Sequence, residues 1–458
     1  MSFVVPLVLV WVSGYFLRHL AGDAGRPGFS GWLGDAPEVI GLGAAAGYLL
    51  FLCGVWLRPF DSSWLAAAPL LLGAAHVWKR TRGAGTPRAL APPDPCPWKP
   101  GEIAVAAVVA LACGGGLSLL FATPLFDWDA RILWALKAKM LATEGTFLTD
   151  TFRDPYRLHL HPRYPLLVPW LAALPARVTG VFQERDFQAV AGLAAALGVV
   201  QLYRLGRAAS SRRGALLGAL LMVLTAAWLR NLFAAGVELT LTLFLLLSVQ
   251  ALWRWLERGR TADLVLAAVF LFGGASVKNE GLLLSLCLIA GLGLVQLRRG
   301  ATGHRDLGPV FVLAALWLLL MSGWWGHLHY IPAVSDENYL GRLRPEHLPQ
   351  ALHRVPLLLR EIGAHACDVG TWHLTWAALL LLCLSRWRRG VRADPQSLLL
   401  ALVCLLYGGG IAVIYLLSPW RDLAQHIGIT FDRIFLPLLP LVILLLLRRF
   451  AASPGPAR

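Results

Sequence analysis

Apolar runs close to the length of a bilayer-spanning helix follow one another along almost the whole of this 458-residue chain. A helix that crosses hydrocarbon needs roughly 20 mostly apolar residues, because it rises about 1.5 Å per residue through a core about 30 Å thick. Phe3 to Leu20, Val39 to Trp56, Trp64 to Trp78, Ile103 to Phe121, Phe187 to Tyr203 and Ala215 to Trp228 are runs of this kind. Ala234 to Leu252, Leu264 to Val277, Leu282 to Leu297, Val310 to Gly326, Leu374 to Leu384, Leu398 to Leu417 and Ile434 to Leu447 continue the series. Several are shorter than a full span, which calls for flanking residues or neighbours to cover their ends. Hydrophobic residues make up 57% of the chain and charged residues only 15%, too little charge to solvate a soluble globule of this size. The sequence therefore predicts an all-α integral membrane protein, a polytopic helical bundle with about 13 spans. Met1 to Leu20 lacks a basic leader and a small-residue cleavage site, so it is expected to stay as a helix.

The net charge of +15 does not gather on one surface as a nucleic-acid footprint would. It sits between the apolar runs. Lys79, Arg80, Arg82 and Arg88 form one group, Arg204, Arg207, Arg212 and Arg213 a second, and Arg254, Arg258 and Arg260 a third. Arg298, Arg299 and Arg305, then Arg386, Arg388, Arg389 and Arg392, then Arg448 and Arg449 follow. The positive-inside rule makes these loops cytoplasmic. The alternate loops hold most of the acids: Asp127, Asp129, Glu144, Asp150 and Asp154; Asp336, Glu337, Glu346, Glu361 and Asp368; Asp422 and Asp432. Both sets agree if the N-terminus lies outside, the C-terminus inside, and Leu166 to Val181 leads in from the outer surface without a crossing of its own. The seven cysteines show neither a disulfide framework nor a CxxC spacing, so they carry no function in this reading.

Polar chemistry concentrates in the outer loops. In loop 122–165, Ile132, Leu133, Leu136, Met140 and Leu141 fall near one helical face, with Arg131, Lys137 and Lys139 turned away, which predicts a helix lying in the membrane interface. Asp127 and Asp129 stand at its N-terminal end, where either can cap the helix or serve chemistry. In loop 330–370, Leu348, Leu352, Val355, Leu359 and Ile362 predict a second interfacial helix. His365, Cys367, Asp368 and His373 are metal-ligating residue types, but their spacing matches no familiar site; His159 and His161 stand in the same position. The metal question stays unknown. Glu238, Lys278, Glu280, Arg421, Asp422, His426, Asp432 and Arg433 lie near outer helix ends, where ionisable groups at membrane depth face a cavity or a partner. Local pairing, as of Lys278 with Glu280, is the alternative.

The order of a spanning helix, an outer acidic motif, an amphipathic helix ending in glycine, and a proline-rich entry to the next helix resembles the GT-C glycosyltransferases. These membrane enzymes use polyprenyl-phosphate-linked sugars and include the protein O-mannosyltransferases and the lipid A aminoarabinose transferases. The resemblance runs from Asp129 through Met140, Leu141, Gly145 and Phe147 to Tyr164, Pro165 and Leu166. Gly274 to Gly281 (GASVKNEG) is similar to the superfamily's lysine-containing turn, and Tyr415 to Pro440 to the closing segment of the Rgt-type branch of lipopolysaccharide-core galacturonosyltransferases. Where the superfamily often shows two adjacent acids, Asp129 is followed by Ala130, and the second acid, Asp127, comes two residues earlier.

Three parts are expected: membrane helices and a basic linker over 1–100, whose first three helices have no counterpart in the resemblance, a GT-C-like catalytic bundle over 101–450, and a cytoplasmic tail over 451–458. The resemblance implies an inverting transferase of the plasma (inner) membrane, multi-pass, taking a sugar from a polyprenyl-phosphate carrier to an extracytoplasmic lipid, glycan or protein of the cell envelope. No cofactor is certain, and a divalent metal lacks support. Asp129, with Asp127 as its alternate, is the expected catalytic base; Lys278, Arg421 and Arg433 are expected at the donor phosphate. His159, His161, Tyr164, Glu238 and Glu280 are further substrate-binding candidates. The chemistry agrees: a phosphate leaves without a general acid, unlike the sugar leaving groups of glycoside hydrolysis. One base for the acceptor hydroxyl and cations for the departing phosphate suffice. A carrier of lipid-linked sugars would also bury charges near helix ends but should show paired halves with interrupted helices. A non-catalytic partner of an envelope-assembly complex would tolerate loss of Asp129.

Overall fold

The computed structural model describes residues 10, 29–57, 97–154, 161–299, 306–329, 331, 342, 344–378 and 394–451. Among the described residues every regular element is a helix. Eight are long and apolar enough to cross a membrane, and a bent pair makes a ninth if it counts as one span. The runs at 39–56, 103–121, 187–203, 215–228, 234–252, 264–277, 282–297, 310–326, 398–417 and 434–447 fall on helices. Those at 3–20, 64–78 and 374–384 lie wholly or largely outside the described residues.

The helices that matter for the site are, in chain order, α1 (Phe29–Leu57), α2 (Pro100–Ala122), α3 (Leu136–Glu144), α4 (Leu167–Thr179), α5 (Glu184–Ala209), α6 (Arg212–Leu224) and α7 (Ala226–Phe233). Then come α8 (Glu238–Arg258), α9 (Thr261–Ala275), α10 (Asn279–Arg299), α11 (Gly308–Leu328), α12 (Val355–Ala366), α13 (Pro395–Leu416), α14 (Leu423–Phe435) and α15 (Leu439–Ala451). Helix α8 is the axle. It is buried along almost its whole length, as befits a helix surrounded by protein, and it packs against α1, α5 and α9. Glycine sets how close α9 comes: a Cβ on Gly273 would stand 2.2 Å from the Phe244 ring of α8. Helix α2 is the opposite case, with only Gly116 and Leu120 buried along its 23 mostly apolar residues, the pattern of a helix facing lipid. Helix α1 joins the bundle core, where Tyr48 is fully buried and its hydroxyl accepts from Leu166 N at 3.2 Å.

Polar groups collect at the two ends of the bundle. At one end Arg254 lies between Glu38 (2.6 Å) and Asp263 (3.2 Å), Arg212 meets Glu102 (3.3 Å), and Arg448 meets Asp394 (2.6 Å). The helix-end charges named from sequence collect at the other end, from which α8 runs 21 residues from Glu238 to Arg258. Helix α4 is 13 residues long, about 20 Å, too short to cross alone.

Two elements depart from expectation. The run Ala215 to Trp228 is not one straight helix but bends by 57° between α6 and α7. Thr225 causes the break: its backbone is extended, and its hydroxyl donates back to Leu221 O at 2.7 Å, competing with the helix ladder. The helix expected after Asp129 does form and ends at Gly145 in the left-handed region (φ 72°), but its first seven residues, Asp129–Ala135, are π-helical. That wider turn shifts the rotational register. As a result Lys137, expected to turn away, is fully buried, while Arg131 and Lys139 are exposed.

Candidate active site

The site begins where α2 ends. Gln188 on α5, itself buried, donates through Nε2 to Leu120 O and Thr123 O, both at 2.9 Å. Both amide hydrogens are thus spent on carbonyls that the helix end leaves without partners. The chain then runs through an irregular stretch in which Leu125 is buried and Phe126 and Trp128 are exposed. Asp127 and Asp129 divide the roles that the sequence left open. Asp127 Oδ1 accepts from Ala130 N at 2.9 Å and is the cap. Burial raises its carboxyl above the ordinary aspartate range, the Ala130 bond works against that shift, and neighbouring Asp129 adds to it.

Asp129 instead pairs with Arg433 of α14: Arg433 Nη1 donates to Asp129 Oδ2. The two side chains stay 29% and 27% exposed, so a solute can reach them. Glu238, the first residue of α8, lies within electrostatic reach of Arg433. It also accepts from Lys278 Nζ at 2.9 Å, and the same ammonium meets Glu280 at 3.0 Å. Burial works against the charge of Lys278, but Glu238 and then Glu280 outweigh it and hold the ammonium well above the ordinary lysine range. The local pairing of Lys278 with Glu280 is therefore present together with a longer-range one.

The turn that carries Lys278 depends on glycine. A Cβ on Gly281 would stand 2.0 Å from Gly274 O, so the two ends of GASVKNEG touch backbone to backbone. Leu167 N, at the start of α4, donates to Ser276 O of this turn at 3.0 Å. Tyr164, just before α4, stacks between Trp134 (5.6 Å) and His161 (5.0 Å) and lies within electrostatic reach of Lys278. Lys137 fixes that corner, donating to His161 O at 2.7 Å below the Trp134 and Tyr164 rings.

Asp127, Asp129, Glu238, Lys278, Glu280 and Arg433 thus come together, with Tyr164 and His161 beside them. His159 lies outside the described residues. Arg421 does not join the group. It is exposed on the loop before α14, twelve residues from Arg433, about 18 Å along the helix direction. Asp422 caps α14 by accepting from Gln425 N at 2.9 Å. Asp432 turns away from its neighbour Arg433 to meet Arg230 at 2.6 Å. His426 bonds Ser418 through Nδ1 at 2.8 Å, and His373 Nε2 meets Leu224 O at 3.0 Å. Among the described residues no three of His, Cys, Asp and Glu are grouped as metal ligands. Gln188 and Arg230 were missed from sequence. A glutamine placed one residue after the start of an apolar run was the signal for the first; Arg230 offers none.

Residues 162–327 match the family model described as dolichyl-phosphate-mannose-protein mannosyltransferase. The resemblance to the GT-C glycosyltransferases holds. The GT-C-like segment is just over a third of the chain; it contains Tyr164, Glu238, Lys278 and Glu280 and leaves Asp129 and Arg433 on either side. The match does not single out the Rgt-type branch. No curated protein matches the chain. Among solved structures, the chain is similar to ArnT from Cupriavidus metallidurans bound to undecaprenyl phosphate, with 15% identity and a TM-score of 0.47. That likeness covers 77% of this chain and 60% of ArnT.

Proposed function

We propose that this protein is a membrane glycosyltransferase that moves a sugar from a polyprenyl-phosphate carrier to an acceptor hydroxyl on the extracytoplasmic face, with inversion at the anomeric carbon. The observation that carries the proposal is the Asp129–Arg433 pair, a partly exposed carboxylate and guanidinium at one end of the bundle and flanking a GT-C-like segment. Asp129 takes the proton of the acceptor hydroxyl, whose oxygen forms the new bond to the anomeric carbon. The bond from that carbon to the phosphate oxygen breaks, and its electron pair stays on the phosphate. A diester with one negative charge becomes a monoester with nearly two. A cation beside it is therefore held more tightly in the transition state than in the ground state, which is what catalysis requires.

Arg433 is the cation in that position, and its planar fork suits a phosphate. Lys278, held by Glu238 and Glu280, sets the field around it rather than touching the phosphate. Arg421 has no part in this reading. The sidedness rests on the alternation of basic and acidic loops, and the three-part division at residues 100 and 450 remains part of the proposal. A carrier is disfavoured because one interrupted helix, α6–α7, occurs among the described residues without a counterpart that would pair two halves.

Mass spectrometry of envelope glycans and lipids tests the reading, comparing cells that lack the gene, cells complemented with wild type, and cells complemented with Asp129→Asn. The expected result is a sugar mass that disappears without the gene and returns with wild type alone. Unchanged glycans and lipids, or movement of a lipid-linked sugar without a new glycosidic bond, would overturn it.

A further inference from the structure

We infer that Arg433 keeps Asp129 from acting as a base until the donor phosphate binds, so that the acceptor is activated only after the donor has entered; this rests on the transferase reading above. The argument is one of partners. Four carboxylates stand within reach of Arg433 or beside it in sequence, and three have a partner of their own. Asp127 accepts from Ala130 N, Glu238 is bonded to Lys278, and Asp432 is bonded to Arg230. Asp129 alone among these four pairs with Arg433. The Asp129 oxygen that would take the acceptor's proton is already occupied by the Arg433 guanidinium. In the absence of donor, the group best placed to take the acceptor's proton is thus held back.

The donor undoes this. A phosphate offers several oxygens to a guanidinium fork where Asp129 engages a single nitrogen. Moving Arg433 from one anion to the other exchanges one ion pair for another, so the charge of Arg433 is never left without a counter-ion. The freed Asp129 oxygen can then take the proton of the acceptor hydroxyl, whose oxygen attacks the anomeric carbon. Because the pair is only partly covered, the exchange needs no rearrangement of α14. Asp129 is in this sense gated by its own neighbour, and the gate is opened by the charge of the first substrate.

The test is equilibrium binding of undecaprenyl phosphate, without sugar or acceptor, to the full chain in lipid nanodiscs. Wild type, Asp129→Asn, Arg433→Gln and the double variant form a cycle. Competition between Asp129 and phosphate for Arg433 predicts that Asp129→Asn binds the probe about tenfold more tightly than wild type, the size of one charge-assisted hydrogen bond. In the Arg433→Gln background the same change should alter binding by less than about twofold, within the spread of independent sites. Equal tightening in both backgrounds would mean simple repulsion between carboxylate and phosphate and would overturn the inference, as would no tightening at all. If Arg433→Gln does not fold, Arg433→Met, which also removes the charge, replaces it, and tightening as large as with arginine overturns the inference there too. Failure of wild type and variants alike to bind the probe would instead remove the polyprenyl-phosphate donor, and the gating with it.

Discussion

Asp127 and Asp129 are two positions apart and differ in what they touch, which separates a cap from a base by experiment. Asparagine caps about as well as aspartate but cannot take a proton. Asp129→Asn should therefore lower turnover by about 10²- to 10⁴-fold with normal expression, while Asp127→Asn should stay close to wild type. A reversal of the two in a transfer assay would put the base at Asp127. Stability gives a second signature. Burial raises the Asp127 carboxyl in the folded state above its ordinary value of 3.8, so the folded chain binds this proton more tightly than the unfolded one. Ionisation then costs stability as pH rises from about 4 through the raised value. Asp127→Asn escapes that cost, so in thermal melts the variant should gain on wild type at pH 7 and lose the advantage near pH 4. The acids themselves were legible in sequence because they stand where an apolar run gives way to an amphipathic one. The partner of Asp129 was not, because it lies 304 residues away and only the packing of α14 brings it near.

At the scale of elements, periodicity placed the helices and glycine fixed their contacts. The motif GASVKNEG stood out in sequence, and the structure gives its physical basis in the touching of Gly274 O and Gly281. Gly281→Ala forces backbone apart from backbone, and overpacking of this kind costs about 1–3 kcal/mol. We expect a lower melting temperature in detergent and reduced turnover, since the Lys278 turn and the start of α4 shift together. Gly101→Ala is the control, because nothing lies within 4 Å of its added Cβ; an equal loss there would show that the effect is not one of contact. The helix after Asp129 was legible from its apolar face and its terminal glycine. Its π-helical opening was not, since a change of turn width leaves composition untouched, and this is why Lys137 was placed on the wrong side. The break at Thr225 has the same character: the run is apolar throughout, and one hydroxyl returning to the Leu221 carbonyl bends it.

For the molecule as a whole, the alternation of basic and acidic loops requires Asp129, Glu238, Lys278 and Arg433 to meet at one end, although they come from four different loops and helix ends. They do meet. The side of the membrane on which they meet is open to a direct test. In a chain freed of its native cysteines, a cysteine at the exposed position Asp150 should react with an impermeant thiol reagent in intact cells, whereas one at exposed Arg260 should react only after lysis. The opposite pattern would move the site to the cytoplasmic face. The class of fold was legible because the bilayer dictates run lengths; the central place of α8 was not, since lipid and protein surroundings select similar apolar residues. That similarity has a physical outcome at α2. The helix that leads to the two aspartates turns nearly all its residues outward, with only Gly116 and Leu120 buried, while α8 and much of α15 are buried within the bundle. A helix solvated by lipid follows the thickness of its bilayer, and one inside a bundle does not. Bilayer thickness is therefore expected to act on the approach to Asp129, and turnover compared in nanodiscs of thinner and thicker lipids would show it.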